Sequence, residues 1–261
     1  MSRASANRKP PALQLERRPG LALVLLVIPI VLRWVVFRPA HSHLHDPPRH
    51  IPWSLPDATQ AVTAHEVLPD GRIHLTIEHR PLPGVTPAML AWWYRVLPLG
   101  QVEFDGAVRP LYHLFHPTEH GRIWIEEPAA DGRPGVGAGG VVARFEWFGP
   151  FDSEGAARVI ELSPSRFVTR PKLAGVSVGE IRHTFGASPK GALYSVDTII
   201  GVDWPVVGPW VNSFLRRSTF SEPMLREWER HQVEEVGLLP HFLPALYAQR
   251  NDRNTYRLTG P

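Results

Sequence analysis

The sequence predicts an α+β fold in which a curved antiparallel sheet surrounds a C-terminal helix. Short segments with alternating apolar and polar residues follow one another from about residue 60 to residue 202, as in half-buried strands. The 28 prolines and 21 glycines among 261 residues indicate many turns. Apolar residues at helical spacing return mainly after Pro205. Many strands followed by a late helix indicate a helix-grip arrangement, which leaves a cavity between sheet and helix.

One N-terminal hydrophobic helix is expected to precede this domain. Residues 1–18 are polar and basic and are predicted to be disordered. Residues 19–38 are predicted to be a membrane anchor, because their apolar run, interrupted by Arg33, reaches the lower edge of the roughly 17–25 residues that span a bilayer. A cleaved signal peptide and a soluble amphipathic start are the alternatives. The signal peptide is disfavoured because the sequence lacks a small-x-small cleavage site. We therefore expect a membrane-associated protein, with the side of the membrane left open.

Composition narrows the function classes. The formal net charge is +3, and much of the positive charge lies in the first forty residues, which argues against a nucleic-acid partner. The chain has no Cys, so disulfides, thiolate metal sites and a cysteine nucleophile are excluded. Histidines and carboxylates are left as strong metal ligands. The His- and Pro-rich residues 39–55 are interpreted as a solvated linker, and the domain is expected over residues 56–261.

Period-two alternation predicts the strands. It begins over 73–77, and Asp105-Gly106 is a strong hairpin signal, with the returning strand expected over 111–115. Further strands are predicted over 141–148, 158–162, 167–170, 180–185 and 193–202. Helices are predicted over 87–97, 207–217 and 223–237, the last with Ser221 as N-cap and Pro223 in its first turn.

One histidine and one glutamate on the last predicted helix could hold a metal ion. His231 and Glu235 are four residues apart, so they project from one face and can chelate a single ion. Exposed pairs with this spacing are common, so the pair alone is weak evidence. Glu146 is in phase with Arg144 on a predicted strand, and a metal ligand and a solvent-facing carboxylate are both open for it.

Further histidines lie in the segment from Tyr112 to His120. His120 follows the predicted strand end, where a loop could turn its imidazole toward the mouth of the sheet. His113 and His116 are expected to have structural roles.

Five segments between about residues 60 and 250 carry a family resemblance. They are Trp92-Trp-Tyr-Arg95; Tyr112 with His116-Pro-Thr-Glu-His120; Phe145-Glu-Trp-Phe-Gly149; His183-Thr-Phe185 with Gly191 and Tyr194; and His231-Gln-Val-Glu-Glu-Val-Gly237 with Phe242-Leu-Pro-Ala-Leu-Tyr247. In this order they resemble the motif set of the 2,4-diacetylphloroglucinol hydrolase family. The resemblance implies a Bet v 1-like helix-grip fold and a zinc ion bound by two His and two Glu.

The resemblance also assigns the site residues. The implied Zn²⁺ ligands are His120, Glu146, His231 and Glu235. Glu126 or Glu127 could replace Glu146, because the spacing from His120 to Glu146 includes the Gly-rich stretch 132–140, whose length is not a feature of the motifs. The implied catalytic residues, which would line the pocket and bind phenolic hydroxyls or donate the proton, are Tyr112, His183 and Tyr194.

The predicted function is a zinc-dependent hydrolase that cleaves a carbon–carbon bond in an acylated phenol. The reaction would be a retro-Claisen-type deacylation of a small aromatic ketone. Another metal-assisted lyase or hydrolase on this scaffold is a second possibility. A non-catalytic helix-grip module that binds a lipophilic or polyketide ligand is the alternative from a different class.

Overall fold

A long antiparallel sheet and four helices make up the part of the chain that the structure describes. This computed structural model describes residues 44–173, 175–251 and 255–258. In chain order the elements are a 3-10 turn (Ala58–Gln60), β1 (Ala61–Val67), β2 (Ile73–His79), α1 (Pro87–Val96), β3 (Gln101–Phe104), β4 (Ala107–Pro110), α2 (Leu111–Phe115), β5 (His120–Glu127), β6 (Val141–Phe148), β7 (Phe151–Leu162), β8 (Arg166–Leu173), β9 (Val176–Ser177), β10 (Gly179–Ser188), β11 (Gly191–Ile200), α3 (Gly208–Ser218), α4 (Glu222–Ala248) and β12 (Thr255–Arg257).

The described strands form two sheets. The large sheet has nine strands in the order β1-β2-β11-β10-β8-β7-β6-β5, with β9 paired to β8, and its neighbours are antiparallel. The small sheet has the order β12-β3-β4. The predicted α+β class, with a curved antiparallel sheet and a C-terminal helix, is confirmed.

The register of the large sheet brings polar side chains together. His120 opens β5 and is the direct partner of Glu146 on β6. Strands β10 and β11 are separated from this pair by β7 and β8, and there Phe185 is the direct partner of Tyr194. His183 precedes Phe185 by two residues, so His183 and Tyr194 are diagonal neighbours on one face of the sheet. Strand pairing therefore places two groups of polar residues before any helix is added.

Helix α4 covers one face of the sheet. Ser221 precedes it and Pro223 lies in its first turn, where the missing N–H removes no helix bond. The helix packs against α1, α2, β2 and β6. Its apolar side chains that are at most 1% exposed are Val233, Val236, Leu238, Leu239, Phe242, Leu243 and Leu246. Burying one such side chain contributes about 1.5–3 kcal/mol, so this stripe holds the helix on the sheet.

Most predicted elements are observed. Helices α1 and α3 and strands β6, β7, β8, β10 and β11 occupy the predicted positions within a few residues, apart from a longer β7. The last helix is longer than predicted, since it continues past residue 237 through Pro240 and Pro244 to Ala248. Proline disfavours a helix interior, and the fully buried side chains around these two prolines outweigh that local preference.

The region after the first hairpin differs from the prediction. The hairpin turn is confirmed, with φ of 51° at Asp105 and 71° at Gly106, as the two central residues of a type I′ turn require. The strand expected over 111–115 is wrong, because β4 ends at Pro110 and Leu111–Phe115 is helix α2. The helix buries four of its five residues together, whereas a strand would direct alternate residues to opposite faces.

Residues 44–55 lie against the domain, although the sequence assigned them to a solvated linker. The ring of His45 stacks on Trp147 with centroids 4.4 Å apart. Arg49 donates a hydrogen bond from Nη1 to the carbonyl oxygen of His120 at 3.0 Å. These contacts attach the segment to strands β5 and β6.

The predicted membrane localisation is corrected. Among the helices that the structure describes, none is long and apolar enough to cross a membrane. The predicted disordered tail at 1–18 and the predicted anchor helix at 19–38 lie outside the described residues.

Gly191 is the first residue of β11, the strand that carries Tyr194 into the core, and a side chain at this position should destabilise the protein. It has a φ of +118°, and a Cβ there would lie 1.9 Å from the carbonyl oxygen of Leu82. We expect Gly191→Ala to lower the free energy of unfolding by about 2 kcal/mol or more, because backbone strain and a clash coincide. Urea unfolding measures this. Gly155→Ala is the control, because its Cβ would meet no atom within 4 Å; equal stability of the two variants would contradict the prediction.

Candidate metal centre and cavity

Two ligand candidates come from the sheet. His120 is 0% and Glu146 5% exposed, on adjacent strands and in direct register. His120 is the first residue of β5 rather than a residue after a strand end, because the preceding segment is helix α2. Val142, Arg144 and Glu146 all border the cavity between sheet and helices, so the polar face of β6 points inward. The solvent-facing alternative for Glu146 therefore does not apply.

Two more candidates come from α4. His231 and Glu235 are 1% and 5% exposed. The Nε2 atom of His231 lies 3.2 Å from Nε2 of His120. An oxygen of Glu235 lies 3.3 Å from His120 Nε2 and 3.7 Å from His231 Nε2, and Glu146 Oε2 lies 3.7 Å from His120 Nε2. The structure thus brings close together the four residues that the family resemblance implies as ligands.

The alternatives to Glu146 lie elsewhere. Glu126 and Glu127 are exposed at the far end of β5. Glu127 forms an ion pair with Arg158 at 2.8 Å. At about 3.3 Å per residue, the strand separates them from His120 by roughly 20 Å. Neither carboxylate reaches the cluster.

The hydrogen bonds of the two imidazoles define their tautomers. Nδ1 of His120 lies 2.7 Å from the carbonyl oxygen of Tyr112, and Nδ1 of His231 lies 2.8 Å from a carboxylate oxygen of Glu119. Both oxygens only accept, so each Nδ1 carries the proton and donates it. Each Nε2 atom then carries a lone pair instead of a proton, and the two Nε2 atoms lie 3.2 Å apart. Two lone pairs repel, unless a cation lies between them.

A second proton on the ring of His120 is a poor alternative to a metal ion. It would make an imidazolium in a buried site. Burial lowers the pKa of His120 well below its usual range, and the nearby His231 and His116 lower it further. The neutral form with a free Nε2 is the form that binds metals.

The spacing of the donor atoms also fits a metal ion. Ligand atoms about 2.0–2.1 Å from a tetrahedral ion are about 3.3 Å apart. The separations within the pairs His120–His231, His120–Glu146, His120–Glu235 and His231–Glu235 run from 3.2 to 3.7 Å. The ligand atoms of His120, Glu146 and His231 all lie within 4.8 Å of one another. Nδ1 hydrogen bonds to a carbonyl and a carboxylate are the usual supports of ligating histidines. The buried His and Glu groups can therefore hold a metal ion.

The pKa values of the two carboxyl groups, Glu146 and Glu235, are shifted in opposite directions. Burial alone would raise the pKa of Glu146, but the Arg144 guanidinium and the hydrogen bonds from Tyr112 and Arg144 outweigh it, and the pKa is lowered. Burial and the Glu146 charge raise the pKa of Glu235 well above its usual range. Without a metal ion, the site therefore favours one carboxylate and one neutral carboxyl group.

Glu119 supports His231 from behind and was not identified from the sequence. Its Oε2 accepts from His231, while its Oε1 accepts from Gly149 N at 2.9 Å and from the Arg230 guanidinium. Burial would raise the pKa of Glu119, but the bonds from His231 and Gly149 lower it to about 2. Glu119 precedes His120 in the sequence, yet it lies in a turn, whose side-chain directions follow no strand or helix period.

His116 belongs to the same supporting layer. Its Nδ1 accepts from the backbone N–H of Glu119 at 3.2 Å, and its Nε2 donates to Glu234 at 3.0 Å. Its ring stacks on His231 with centroids 4.4 Å apart. His116, Glu119 and His231 are close enough to be considered as a second metal group. Both nitrogens of His116 already have partners, so we assign it to support of His231.

The cavity beside the cluster has a volume of about 110 Å³. Its apolar lining is Leu97, Phe115, Ile123, Val136, Val142, Ala157, Phe167, Ile181 and Trp228. Its polar lining is Tyr94, Tyr112, Arg144, Glu146, Thr169, His183, Gln232 and Glu235. The metal candidates Glu146 and Glu235 thus belong to the wall of an otherwise largely apolar cavity.

The predicted catalytic residues occupy different positions. Tyr112 borders the cavity and donates its hydroxyl to Glu146 Oε2 at 2.6 Å. His183 also borders it, and Nδ1 of His183 lies 2.8 Å from the Tyr194 hydroxyl. Tyr194 is behind the wall and shares a hydrogen bond with the hydroxyl of Tyr94, which does line the cavity.

These groups are neutral. Burial lowers the pKa of His183 to about 3 and raises the pKa of Tyr194 well above its usual range. Burial and the Glu146 charge also raise the pKa of Tyr112.

Tyr94 belongs to one of the motifs but was not assigned a role, because helical spacing alone gives a buried tyrosine no chemical function.

Comparison with known proteins gives only distant likenesses. No protein-family model and no curated protein matches the chain. Solved structures that match include protein Ms6760 from Mycobacterium smegmatis (11% identity, 71% of this chain, 97% of that chain, TM-score 0.42). A START superfamily protein from Mycobacterium smegmatis (16%, 67% and 95%, 0.40) and Ara h 8.0201 (15%, 64% and 98%, 0.36) also match. None of these names a diacetylphloroglucinol hydrolase, and likenesses this weak carry no inference about function.

Replacing Glu235 by Gln should stabilise the metal-free protein near neutral pH. Because the folded pKa of Glu235 is raised, its favourable protonated state is fully present below the unfolded pKa of about 4.3 and is lost as pH rises through the folded pKa. Glu235→Gln stays neutral throughout. We expect a gain of about 1 kcal/mol or more at pH 7, or roughly 2–4 °C in Tm, that vanishes near pH 4.

Urea unfolding in the presence of a chelator across this pH range measures the difference. Glu78→Gln is the control, since Glu78 is exposed. A Glu235→Gln variant no more stable than the wild type at pH 7 would show that the carboxyl is not strained in the metal-free site.

Proposed function

We propose that the protein is a zinc-dependent hydrolase that cleaves the bond between an aromatic ring and an acyl carbon in a small acylated phenol. The observation that carries the proposal is the pair of opposed imidazole lone pairs, joined by two carboxylates that line the cavity. The motif resemblance supports zinc as the metal and an acylphenol as the substrate. Two imidazoles and two carboxylates suit Zn²⁺ and balance its charge.

The reaction needs no redox partner. Water adds to the acyl carbon, and the bond from that carbon to the ring breaks. The acyl part leaves as a carboxylic acid, and the ring carbon takes up a proton, so ketone and water give acid and phenol. A bound Zn²⁺ would polarise the acyl oxygen or lower the pKa of a water molecule. The rest of the chemistry falls to side chains of this chain.

Tyr112 and Glu119 act on the ligands. The Tyr112 hydroxyl donates to Glu146, and the Tyr112 carbonyl accepts from His120, so this one residue orients two ligands. Glu119 performs the same task for His231. The proton of the Tyr112 hydroxyl is engaged by Glu146, so Tyr112 is a positioning residue in this proposal.

His183, Tyr194 and Tyr94 act on the substrate. Nε2 of His183 has no hydrogen-bond partner among the described residues, and His183 borders the cavity, so it can bind a ring hydroxyl. Tyr194 links His183 to Tyr94, whose ring also borders the cavity. A hydrogen-bonded chain of an imidazole and two hydroxyls can take a proton from a ring hydroxyl at His183 and release one from Tyr94 to the ring carbon, so that no charge is left on the chain.

The cavity itself favours a small substrate. Ligand pockets for drug-sized molecules measure about 300–1,000 Å³, whereas this cavity measures about 110 Å³. A single substituted ring suits that space better than a lipid chain or a fused polyketide. The non-catalytic lipophilic-ligand module also leaves the opposed imidazoles without a role.

The proposal predicts hydrolysis of 2,4-diacetylphloroglucinol or 2,4-dihydroxyacetophenone by the zinc-loaded full chain. Release of acetate and of the deacylated phenol measures it. Loss of a residue that supports a metal ligand costs about 10–100-fold, so His231→Ala should lower the rate by at least about 100-fold.

His50→Ala is the matched control, because His50 is an exposed histidine away from the cluster. Circular dichroism establishes that both variants are folded. Full activity of His231→Ala, or no carboxylic acid from any acylphenol with a folded, zinc-loaded wild type, would contradict the proposal.

A further inference from the structure

Arg144 is the cavity residue that the zinc proposal leaves with unused hydrogen-bond donors. Its Nε donates to Oε1 of Glu146. Its two Nη groups have no hydrogen-bond partner among the described residues, although 30% of its side-chain surface is accessible and it borders the cavity. A guanidinium that only positioned Glu146 would need no more than the Nε contact. The two free Nη groups form a planar fork that matches oxygen anions.

The charges of the cavity wall leave this guanidinium unbalanced once a divalent ion is bound. Two carboxylates, Glu146 and Glu235, balance such an ion, and its two imidazole ligands are neutral. His183 is neutral because burial lowers its pKa to about 3. Arg144 then shares the Glu146 carboxylate with the ion, so the described cavity wall carries one net positive charge at Arg144.

The space beside Arg144 is open. Gly155 on β7 is its direct strand partner, and cross-strand partners share a face of the sheet. A Cβ at Gly155 would meet no atom within 4 Å. The strand position opposite Arg144 therefore carries no side chain that could cover it. The fold therefore leaves room for a ligand group at Arg144.

We propose that Arg144 binds the ring oxygen that carries the negative charge when the bond from ring to acyl carbon breaks. This inference rests on the proposed function. The phenolate oxygen first gives its charge to the ring, and the ring carbon that bears the acyl group takes up the proton and becomes tetrahedral. Once water has added to the acyl carbon, the electron pair of the breaking bond moves back through the ring onto that oxygen. Only hydroxyls ortho or para to the acyl group are conjugated with the ring carbon in this way. The substrate class is therefore 2- or 4-hydroxyaryl ketones that bind as phenolates.

A ligand that ionises but does not react tests the inference without turnover. In 4-nitroresorcinol a nitro group replaces the acyl group of a dihydroxyaryl ketone, and the phenolate absorbs visible light. Titration of the ligand bound to the zinc-saturated full chain gives its bound pKa by absorbance. We expect the wild type to lower that pKa below the free value.

Substitution at Arg144 should reverse that effect. Arg144→Gln should raise the bound pKa by about one unit, which is a tenfold loss of affinity for the phenolate relative to the phenol. Arg144→Lys, which keeps the charge without the fork, should retain part of the effect. Arg122→Gln, at an exposed arginine on β5, should behave as the wild type.

Two results would overturn the inference. One is an unchanged bound pKa in Arg144→Gln at full zinc occupancy, which would make Arg144 a positioning residue for Glu146 alone. The other uses only the wild type, and so does not depend on a variant that folds: an affinity for 4-nitroresorcinol that does not rise as pH passes the ligand's own pKa. If the wild type lowers the pKa of bound 4-nitroresorcinol but releases no carboxylic acid from acylphenols, the proposed function is contradicted while the phenolate site is retained.

Discussion

The meeting of two imidazole lone pairs inside the protein is the constraint on which the site depends. In their neutral forms, His120 and His231 each donate from Nδ1 to an oxygen that only accepts, so their Nε2 lone pairs face one another. In a buried site this repulsion has no solvent to relieve it. The arrangement makes physical sense when a cation is bound, and Glu146 and Glu235 supply the charge that such a cation requires.

This geometry depends on how helix α4 sits on the sheet. The sheet supplies one imidazole and one carboxylate, the helix supplies the other two groups, and separations of 3.2 to 3.7 Å join them. The apolar stripe of α4 fixes the helix, while Glu119 and Arg230 link its polar side to the turn before β5. Stability is lost at Glu235, where burial and a like charge oppose ionisation in the absence of metal. Such a conflict is typical of functional sites.

Period and spacing predicted the sheet, the late helix and the His231–Glu235 pair, whereas the full set of four ligand candidates came from the family resemblance. The sequence missed helix α2, since the residues over 111–115 are apolar in both phases and only tertiary burial decides between strand and helix. It left the direction of the polar face of β6 open, because strand alternation shows which residues share a face but not which of the two faces is buried. Glu119 and Tyr94 were missed for a related reason: their roles follow from contacts between distant segments, which no local pattern encodes.

Metal binding by the full chain tests the central claim most directly. Titration of Zn²⁺ into metal-stripped protein, followed by elemental analysis after dialysis, gives the number of ions held per chain. The opposed lone pairs predict one tightly held ion per chain, with proton release from Glu235 on binding and loss of the ion in His120→Ala. A folded wild type that retains no metal ion, or one that binds it equally well without His120, would contradict the account.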